Sequence, residues 1–471
     1  MRKSLFVGVS LLLVCTSIGY AQDDVDLIES ATSYNIYDFD FVGGGTRAKG
    51  MGNAFLGVSN DITGGSWNPA GLFELDETAI AISFFKLNPK GLSTTQSLSD
   101  LIASEHSGSV SNISSINFVS PIRISGHPFV FTGNLTRNFN SFRQFGVQQT
   151  DSTEFYSFSP LIGLIVDTNQ LVTDLQVHEE GGMNSINLGF GTRFYDKISF
   201  GATINIYSGH SVYKVNQMMQ VEDYRYQTNQ SFQYATLDST IRVVDTNKFS
   251  GANITLGFKY NGEKLGAGLV IRTPFKLSEK RAQAIYFNSY INGASRTNDG
   301  ILSTDILFKY EMPLMVGMGL AYQMNDKWLV AGDVDYRGFS GKKIDYRISQ
   351  TINPGGSNIE DYITFDPRWN NSISFRIGTE YTNEFDFGKV PVRAGFGFVP
   401  VPTPSVDLVG NLSTSVNYNF TFGTGLHFEQ IKFDVAYMYS TANLDVVEYG
   451  QFYSESKSKN HTLTFSFTGV F

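Results

Sequence analysis

The sequence predicts an all-β fold, an antiparallel transmembrane β-barrel of about 14 strands with an N-terminal plug, or hatch, inside the lumen. Three observations predict it. Apolar and polar residues alternate with period two from Thr78 to the terminal Phe471. The apolar segments are joined by short turns and long polar stretches in strict alternation. Before them, residues 43–71 are glycine-rich and lack apolar periodicity, so they cannot build a core and need walls supplied by the rest of the chain.

Residues 1–21 read as a secretion signal. Arg2-Lys3 form its basic start and Leu5 to Val14 its apolar stretch, and Gly19-Tyr20-Ala21 supply the cleavage site before Gln22. Cys15 raises a lipoprotein signal as the alternative, although no small residue precedes it. With Cys15 removed, the mature chain has no disulfide, thiolate metal site or cysteine nucleophile. Residues 22–76 are read as an acidic and aromatic lead-in followed by the hatch, and residues 77–471 as the barrel.

The 471 residues carry a net charge of −9, 17% charged and 14% aromatic residues. Charge that sparse fits a surface partly hidden from water. The mild negative charge without basic clusters argues against nucleic acid. No run of eighteen apolar residues follows the signal, so no transmembrane helix is expected.

Each strand shows the same two faces. In the last, Leu463, Phe465 and Phe467 oppose Thr462, Thr464 and Ser466. Upstream, Ile186, Leu188 and Phe190 oppose Asn187, Gly189 and Gly191, and Ile204 and Ile206 oppose Thr203 and Asn205. Short turns fall at Ser125-Gly126, 195–197, Asn261-Gly262, Asn325-Asp326, 383–387 and Glu429-Gln430. Long polar loops are expected near 88–112, 140–182, 209–248, 274–302, 339–369, 399–414 and 443–458. Strands of about ten residues at roughly 3.3 Å each span a hydrocarbon core when tilted. Apolar side chains then face lipid, and Phe194, Tyr260, Tyr322, Trp328, Phe428 and Phe433 form a girdle at the short-turn end. A soluble β-sandwich or propeller is the alternative; the signal, the loop asymmetry and the terminal phenylalanine weigh against it.

Alternation places Arg193, Lys259, Arg272, Arg376, Arg393 and Lys432 in the lumen, with Asp333, Asp335, Glu380 and Asp434. Buried charges must be paired or hydrated, so an ion-pair network bracing wall and plug is the simplest reading. Arg272 and Arg393 are the preferred partners for a ligand carboxylate, which a guanidinium binds bidentately. Asn68-Pro69-Ala70 closes the hatch. Pro69 fixes φ and Asn68 can bond neighbouring backbone, so this turn is either a ligand-responsive gate or a structural anchor. Pro121, Pro128 and Gly133 make the second and third strands irregular, and a wall gap is expected there unless the prolines merely flank the Ser125-Gly126 turn.

Enzyme and cofactor motifs are lacking. The six histidines form no HExxH pair, and there is no GxSxG, Rossmann or Walker A pattern. No cofactor is expected.

The stretch Gly45-Thr46-Arg47-Ala48-Lys49-Gly50-Met51-Gly52-Asn53-Ala54-Phe55, with Trp67-Asn68-Pro69-Ala70-Gly71, resembles the N-terminal hatch of the FadL/TodX family of outer-membrane hydrophobic-compound channels. Val270 to Phe275, Pro313 to Asp335 and Val392 to Phe396 resemble three later segments of that family in the same order, with Phe339 where a tryptophan is expected. The resemblance implies a fourteen-stranded barrel in a Gram-negative outer membrane. It implies a plug, and diffusive uptake of long-chain fatty acids or other hydrophobic molecules, with sideways exit through the wall. It also implies contact with outer-membrane lipid and with the barrel assembly machinery, which reads a C-terminal aromatic. Two alternatives stay open: a related barrel that shuttles secreted cargo, sharing the glycine-rich start and the Asn-Pro-Ala segment, and a receptor for haem or another hydrophobic cofactor, for which His106, His178 and His210 lie on outer stretches.

Overall fold

A computed structural model describes residues 43–96, 101–159, 163–227, 232–291, 294–295, 300–352, 359–406, 412–448 and 452–471. The signal, Cys15 and the lead-in to residue 42 lie outside the described residues.

Fourteen wall positions follow one another around the barrel. They are β1 (Ala79–Gln96), β2 (Leu101–Ser107 and Val110–Ile124), β3 (His127–Ser159), β4 (Gly163–Tyr195), β5 (Ile198–Gln227) and β6 (Phe232–Asn261). Next come β7 (Leu265–Arg272 and Phe275–Ile291), β8 (Gly300–Met312 and Met315–Asn325), β9 (Trp328–Arg337 and Ile344–Ile352) and β10 (Ile359–Phe365 and Ser372–Phe385). Last are β11 (Gly388–Val406), β12 (Leu412–His427), β13 (Ile431–Glu448) and β14 (Phe452–Val470). Each pairs antiparallel with the next, and β1 pairs with β14 from Ala79↔Val470 to Gln96↔Tyr453, which closes the barrel. The backbone N–H of Phe471 donates to Thr78 (2.8 Å) beside that closure.

The two faces behave as alternation requires. Thr462 and Thr464 are buried in the lumen, whereas Phe465 and Phe467 are exposed on the outer wall. Ile186, Leu188, Ile204, Ile206, Phe375, Phe420 and Phe422 continue an exposed apolar belt around the molecule. All six aromatics expected at the short-turn end are exposed there, Phe194 most of all. Ser125 (φ 50) and Gly126 (φ 84) both take the left-handed conformation that a two-residue hairpin turn demands.

Two expectations need correction. The long polar stretches are largely strand, not loop: β3 and β4 pair from Phe129↔Thr192 to Ser159↔Gly163, and β5 and β6 from Ile198↔Tyr260 to Gln227↔Phe232. Above the apolar belt the outer face turns polar while apolar side chains such as Ile241, Val243, Phe249 and Ile285 turn inward, so the outward-apolar pattern is lost while backbone pairing continues. The expected gap beside Pro121 and Pro128 is also absent. Pairing between β2 and β3 is continuous from Ile124↔His127 to Ser115↔Thr136, and the prolines flank the turn.

The wall is interrupted elsewhere. Strands β7 to β10 each break at one level, at 273–274, 313–314, 338–343 and 366–371. Proline at 274, 313 and 367 removes ladder donors at three of the four breaks.

Residues 43–78 lie within the ring of strands. Helix α1 (Thr46–Gly50), helix α2 (Gly64–Trp67) and a 3-10 turn (Pro69–Glu74) touch the inner faces of strands from β3 to β14. Ala48, Met51, Phe55, Leu56 and Trp67 share one buried cluster with Val270, Ala321 and Ala331 of the wall. The segment's core is therefore mostly its own and closed by the barrel's wall.

Candidate functional site

The seat of residues 43–78 is cut from lumen-facing glycines. A Cβ on Gly201 would strike Pro69 and Ala70, one on Gly257 would strike Asn68, and one on Gly268 would strike Leu56. Gly319, Gly378 and Gly395 are similarly overlaid by Gly57, Met51 and Gly52. Asn68 is fully buried and caps the 3-10 turn. Its Oδ1 accepts from Ala70 N–H (3.2 Å), and its Nδ2 donates to the carbonyls of Leu56 and Phe258 (both 3.1 Å). Pro69 stands at the first position of that turn, where no N–H is needed. Asn68, Pro69 and Ala70 are thus brought together against β5, β6 and β7.

One side of the lumen is ionic. Arg47 grips Glu380 with two nitrogens (2.9 and 2.7 Å). Arg393, with no exposed side-chain surface, donates to Glu380 (2.5 Å) and Asp434 (2.6 Å). Asp434 also meets His427 (2.9 Å). Asp335 is held by Arg376 and by Arg337 (3.1 Å), and Asp333 accepts the N–H groups of Phe55 (2.5 Å) and Leu56 (2.8 Å). Carboxylates therefore hold the plugging segment to β9 and β10 through charge-assisted bonds.

The opposite side carries a neutral asparagine row, with one ion pair, Lys259 of β6 to Glu74, at its edge. Asn117 of β2, Asn134 of β3, Asn187 of β4, Asn205 of β5 and Asn253 of β6 are cross-strand partners in sequence, and all five are buried. Asn205 donates to Asn253 (2.7 Å) and Thr255 (2.9 Å), and the Tyr207 hydroxyl reaches Asn253 (3.2 Å). Thr203 donates to the carbonyl of Gly65 (2.9 Å), so this wall touches the segment through hydroxyl and amide groups.

Above the amide row lies a cluster of buried apolar side chains, here termed the chamber. Met183, Phe249 and Phe308 stand at one level of β4, β6 and β8, and Tyr207, Leu277, Tyr310 and Ile344 one level below. Phe139, Phe339, Phe365 and Trp369 complete the cluster, with Phe339 edge-on to Trp369 at 5.7 Å. One polar group enters it: Tyr310 donates to Glu279 (2.6 Å), which Arg281 also holds (3.1 Å).

Beside the chamber the wall splits. The last rung between β2 and β3 is Ser115↔Thr136; beyond it β2 pairs only with β1 among the described residues, and β3 only with β4. A bulge lies on each side of the split. On β2, Ser114 is the extra residue opposite Ser83 and Phe84; on β3, Asn138 is the extra residue between Arg137 and Phe139. Phe139 belongs to the chamber, so the chamber reaches the split.

A family model described as BamG matches residues 163–386. No curated protein matches the chain in sequence. Among solved structures, a FadL homologue of Pseudomonas aeruginosa aligns with TM-score 0.57 and 13% identity, over 91% of this chain and 98% of that one. The chain has the FadL-type fold. The P. putida toluene transporter TodX aligns at 0.52 and 16% identity (92% of this chain, 99% of that one), and the CymD monoaromatic hydrocarbon channel at 0.52 and 13% (92% and 99%). The closed FadL-type barrel, with its exposed apolar belt, places the chain in the outer membrane of a Gram-negative bacterium.

The two arginines singled out in the sequence fall in different surroundings. Arg272 is buried on β7 with its Nη2 on the Ser66 carbonyl (2.9 Å), while Arg393 sits between two carboxylates. They are not brought together. Sequence reasoning missed Lys49, Arg137 and the asparagine row. Lys49 lies in a segment without periodicity, a bulge shifts the alternation after Arg137, and the row exists only through register.

Proposed function

We propose that the chain is an outer-membrane channel for diffusive uptake of hydrophobic small molecules, long-chain fatty acids among them. The observation that carries this reading is the aromatic chamber between residues 43–78 and the outer reach of the barrel, open in composition to an alkyl chain or an aromatic ring and continuous with the split through Phe139. Exit is lateral, between β2 and β3 beyond Ser115 and Thr136. Passage straight through would have to displace residues 43–78. Arg272, three residues before Phe275 at the chamber's lower edge, is the carboxylate partner, and Arg393 braces the wall. Asn68-Pro69-Ala70 is the gating turn: its bonds to Phe258 and Leu56 are few enough to exchange when the chamber fills. Phe471 at the closing strand is the group for the assembly machinery to read.

The test is extraction of the purified barrel, in mild detergent, with organic solvent and mass spectrometry of what is released. A dominant apolar small molecule supports the channel. Phospholipid alone, with secreted proteins co-purifying, overturns it in favour of a cargo shuttle. For the turn, Asn68→Ala in a folded barrel should change uptake of a labelled fatty acid; unchanged uptake removes Asn68 from gating.

A further inference from the structure

The foot of the split carries two cations on opposite faces of the wall. Lys49 reaches from α1 to the hydroxyl of Ser114 (3.2 Å), the bulge residue one position before the last rung. Among the described residues it makes no other hydrogen bond and no ion pair. Arg137 follows Thr136, the other half of that rung. Its nitrogens bond Asn140 (2.8 Å), Asn184 (3.3 Å) and the Gly181 carbonyl. Asn184 shares a strand face with the exposed Ile186 and Leu188, so Arg137 stands on the outer side, at the upper edge of the apolar belt. Neither cation faces a carboxylate. The lumen cations Arg47, Lys259, Arg337, Arg376 and Arg393 each do.

Polar groups without partners surround the same point. Oδ1 of Asn117, Nδ2 of Asn134 and Oδ1 of Asn138 are buried and make no hydrogen bond among the described residues. Asn117 and Asn134 are themselves more than nine-tenths buried, and they face each other across the rung one lumen position below Ser115↔Thr136. A buried polar atom left unmet costs roughly 1–3 kcal/mol, and of these three Asn134 Nδ2 is the donor that an anion can meet. An apolar chamber on one side, lipid on the other, and two unneutralised cations between them define the missing group.

We propose that the foot of the split is an anion-binding site, with Lys49 on the lumen side and Arg137 on the lipid side, for the head group of a single-chain amphiphile crossing the wall. The alkyl chain lies in the chamber or in lipid while the head passes from the lysine to the arginine, and Asn134 supplies a further donor. The shared chemistry is an anionic oxygen head on one chain, carboxylate or phosphate. This inference rests on the channel reading and adds the chemistry of its exit.

The test compares dodecanoate, dodecyl phosphate and dodecanol binding to the purified full-length barrel in nanodiscs. Wild-type protein, Lys49→Met, Lys49→Arg and Arg137→Met are each first shown to be folded by heat-modifiable mobility. Loss of one charge-assisted bond corresponds to about a tenfold loss of affinity. Lys49→Met and Arg137→Met should each weaken dodecanoate by about that factor and leave dodecanol unchanged, and Lys49→Arg should retain dodecanoate. An equal loss of acid and alcohol would make Lys49 a packing residue and overturn the site. So would no loss at all. Loss of dodecanoate alone identifies a carboxylate as the head group; loss of dodecyl phosphate alone identifies a phosphate; both support the site. Wild-type protein that binds none of the three overturns the channel reading along with this one, whereas alcohol binding with an indifferent Lys49→Met overturns only the site.

Discussion

The two sides of the lumen solve the same problem with different chemistry. On β9 to β13, the carboxylates of Asp333, Asp335, Glu380 and Asp434 face four guanidinium groups, those of Arg337, Arg376 and Arg393 and of Arg47 from the lumenal segment. On β2 to β6, five asparagines and their hydroxyl neighbours carry no charge. The ionic side holds residues 43–78 at Arg47 and at the Phe55 and Leu56 N–H groups. The amide side holds them at Gly65 and Asn68. A buried ion pair cannot be opened without stranding charge, whereas an amide exchanges one neutral partner for another. Apart from Lys259 of β6, which pairs with Glu74, the fold therefore puts its ionic contacts on one side and its exchangeable ones on the side where the wall divides.

The largest effect should come from breaking the ionic side. Arg393→Met leaves Asp434 with His427 alone and Glu380 with Arg47 alone, each carboxylate only about a tenth exposed. Removing one partner of a buried pair costs about 3–5 kcal/mol. The urea midpoint of the refolded barrel should fall accordingly, and Asp434→Asn added to Arg393→Met should recover part of the loss. Recovery would show that uncompensated charge, rather than lost packing, is the cause.

Second comes the glycine seat. Gly257→Val puts a branched side chain where Asn68 sits, and small-to-large changes in packed sites cost typically about 1–3 kcal/mol. The change acts on the exchangeable side. Hydrogen exchange should therefore rise at 64–74 while 46–58, tied to Glu380 and Asp333, stay protected. Equal loss of protection in both stretches would mean that the segment moves as one body, and the contrast between the two sides would fail.

Much of this contrast was written in the chain, though not all in readable form. Thr464 inward and Phe465 outward follow from alternation because one side meets lipid and the other the lumen. The glycines opposite Asn68 were visible as lumen-facing, but not as its seat. The asparagine row could not be read at all, since each member looks like any other lumenal polar residue until register sets Asn134 beside Asn187 and Asn187 beside Asn205. Strand lengths were misread for a related reason. Beyond the membrane the outer face meets water and apolar residues such as Ile241 and Phe249 turn inward, so the outward-apolar pattern stops while β3 to β6 keep their ladders.

A smaller effect is expected within the amide row. Asn205→Leu removes two neutral bonds, to Asn253 and Thr255, and the Tyr207 hydroxyl still reaches Asn253. A net loss of about 1 kcal/mol per bond is the expected size, a fraction of that for Arg393. A loss as large as that of Arg393→Met would show that the row acts as one cooperative network.

The smallest effect separates buried from exposed charge. Lys276 lies at the rim of the same barrel with Asp345 at 3.1 Å and Glu311 at 3.8 Å, its own side chain more than half exposed. Water and salt screen such a pair, so Lys276→Ala should cost under about 1 kcal/mol, and the difference from wild type should vanish in 1 M salt, where the Debye length is about 3 Å. The deficit of Arg393→Met should persist under the same conditions, because no counter-ion reaches a guanidinium with no exposed surface. If salt erased both deficits, the Arg393 cluster would be hydrated in solution. The ionic side would then be as exchangeable as the amide side, and the division of labour between the two walls would have no physical basis.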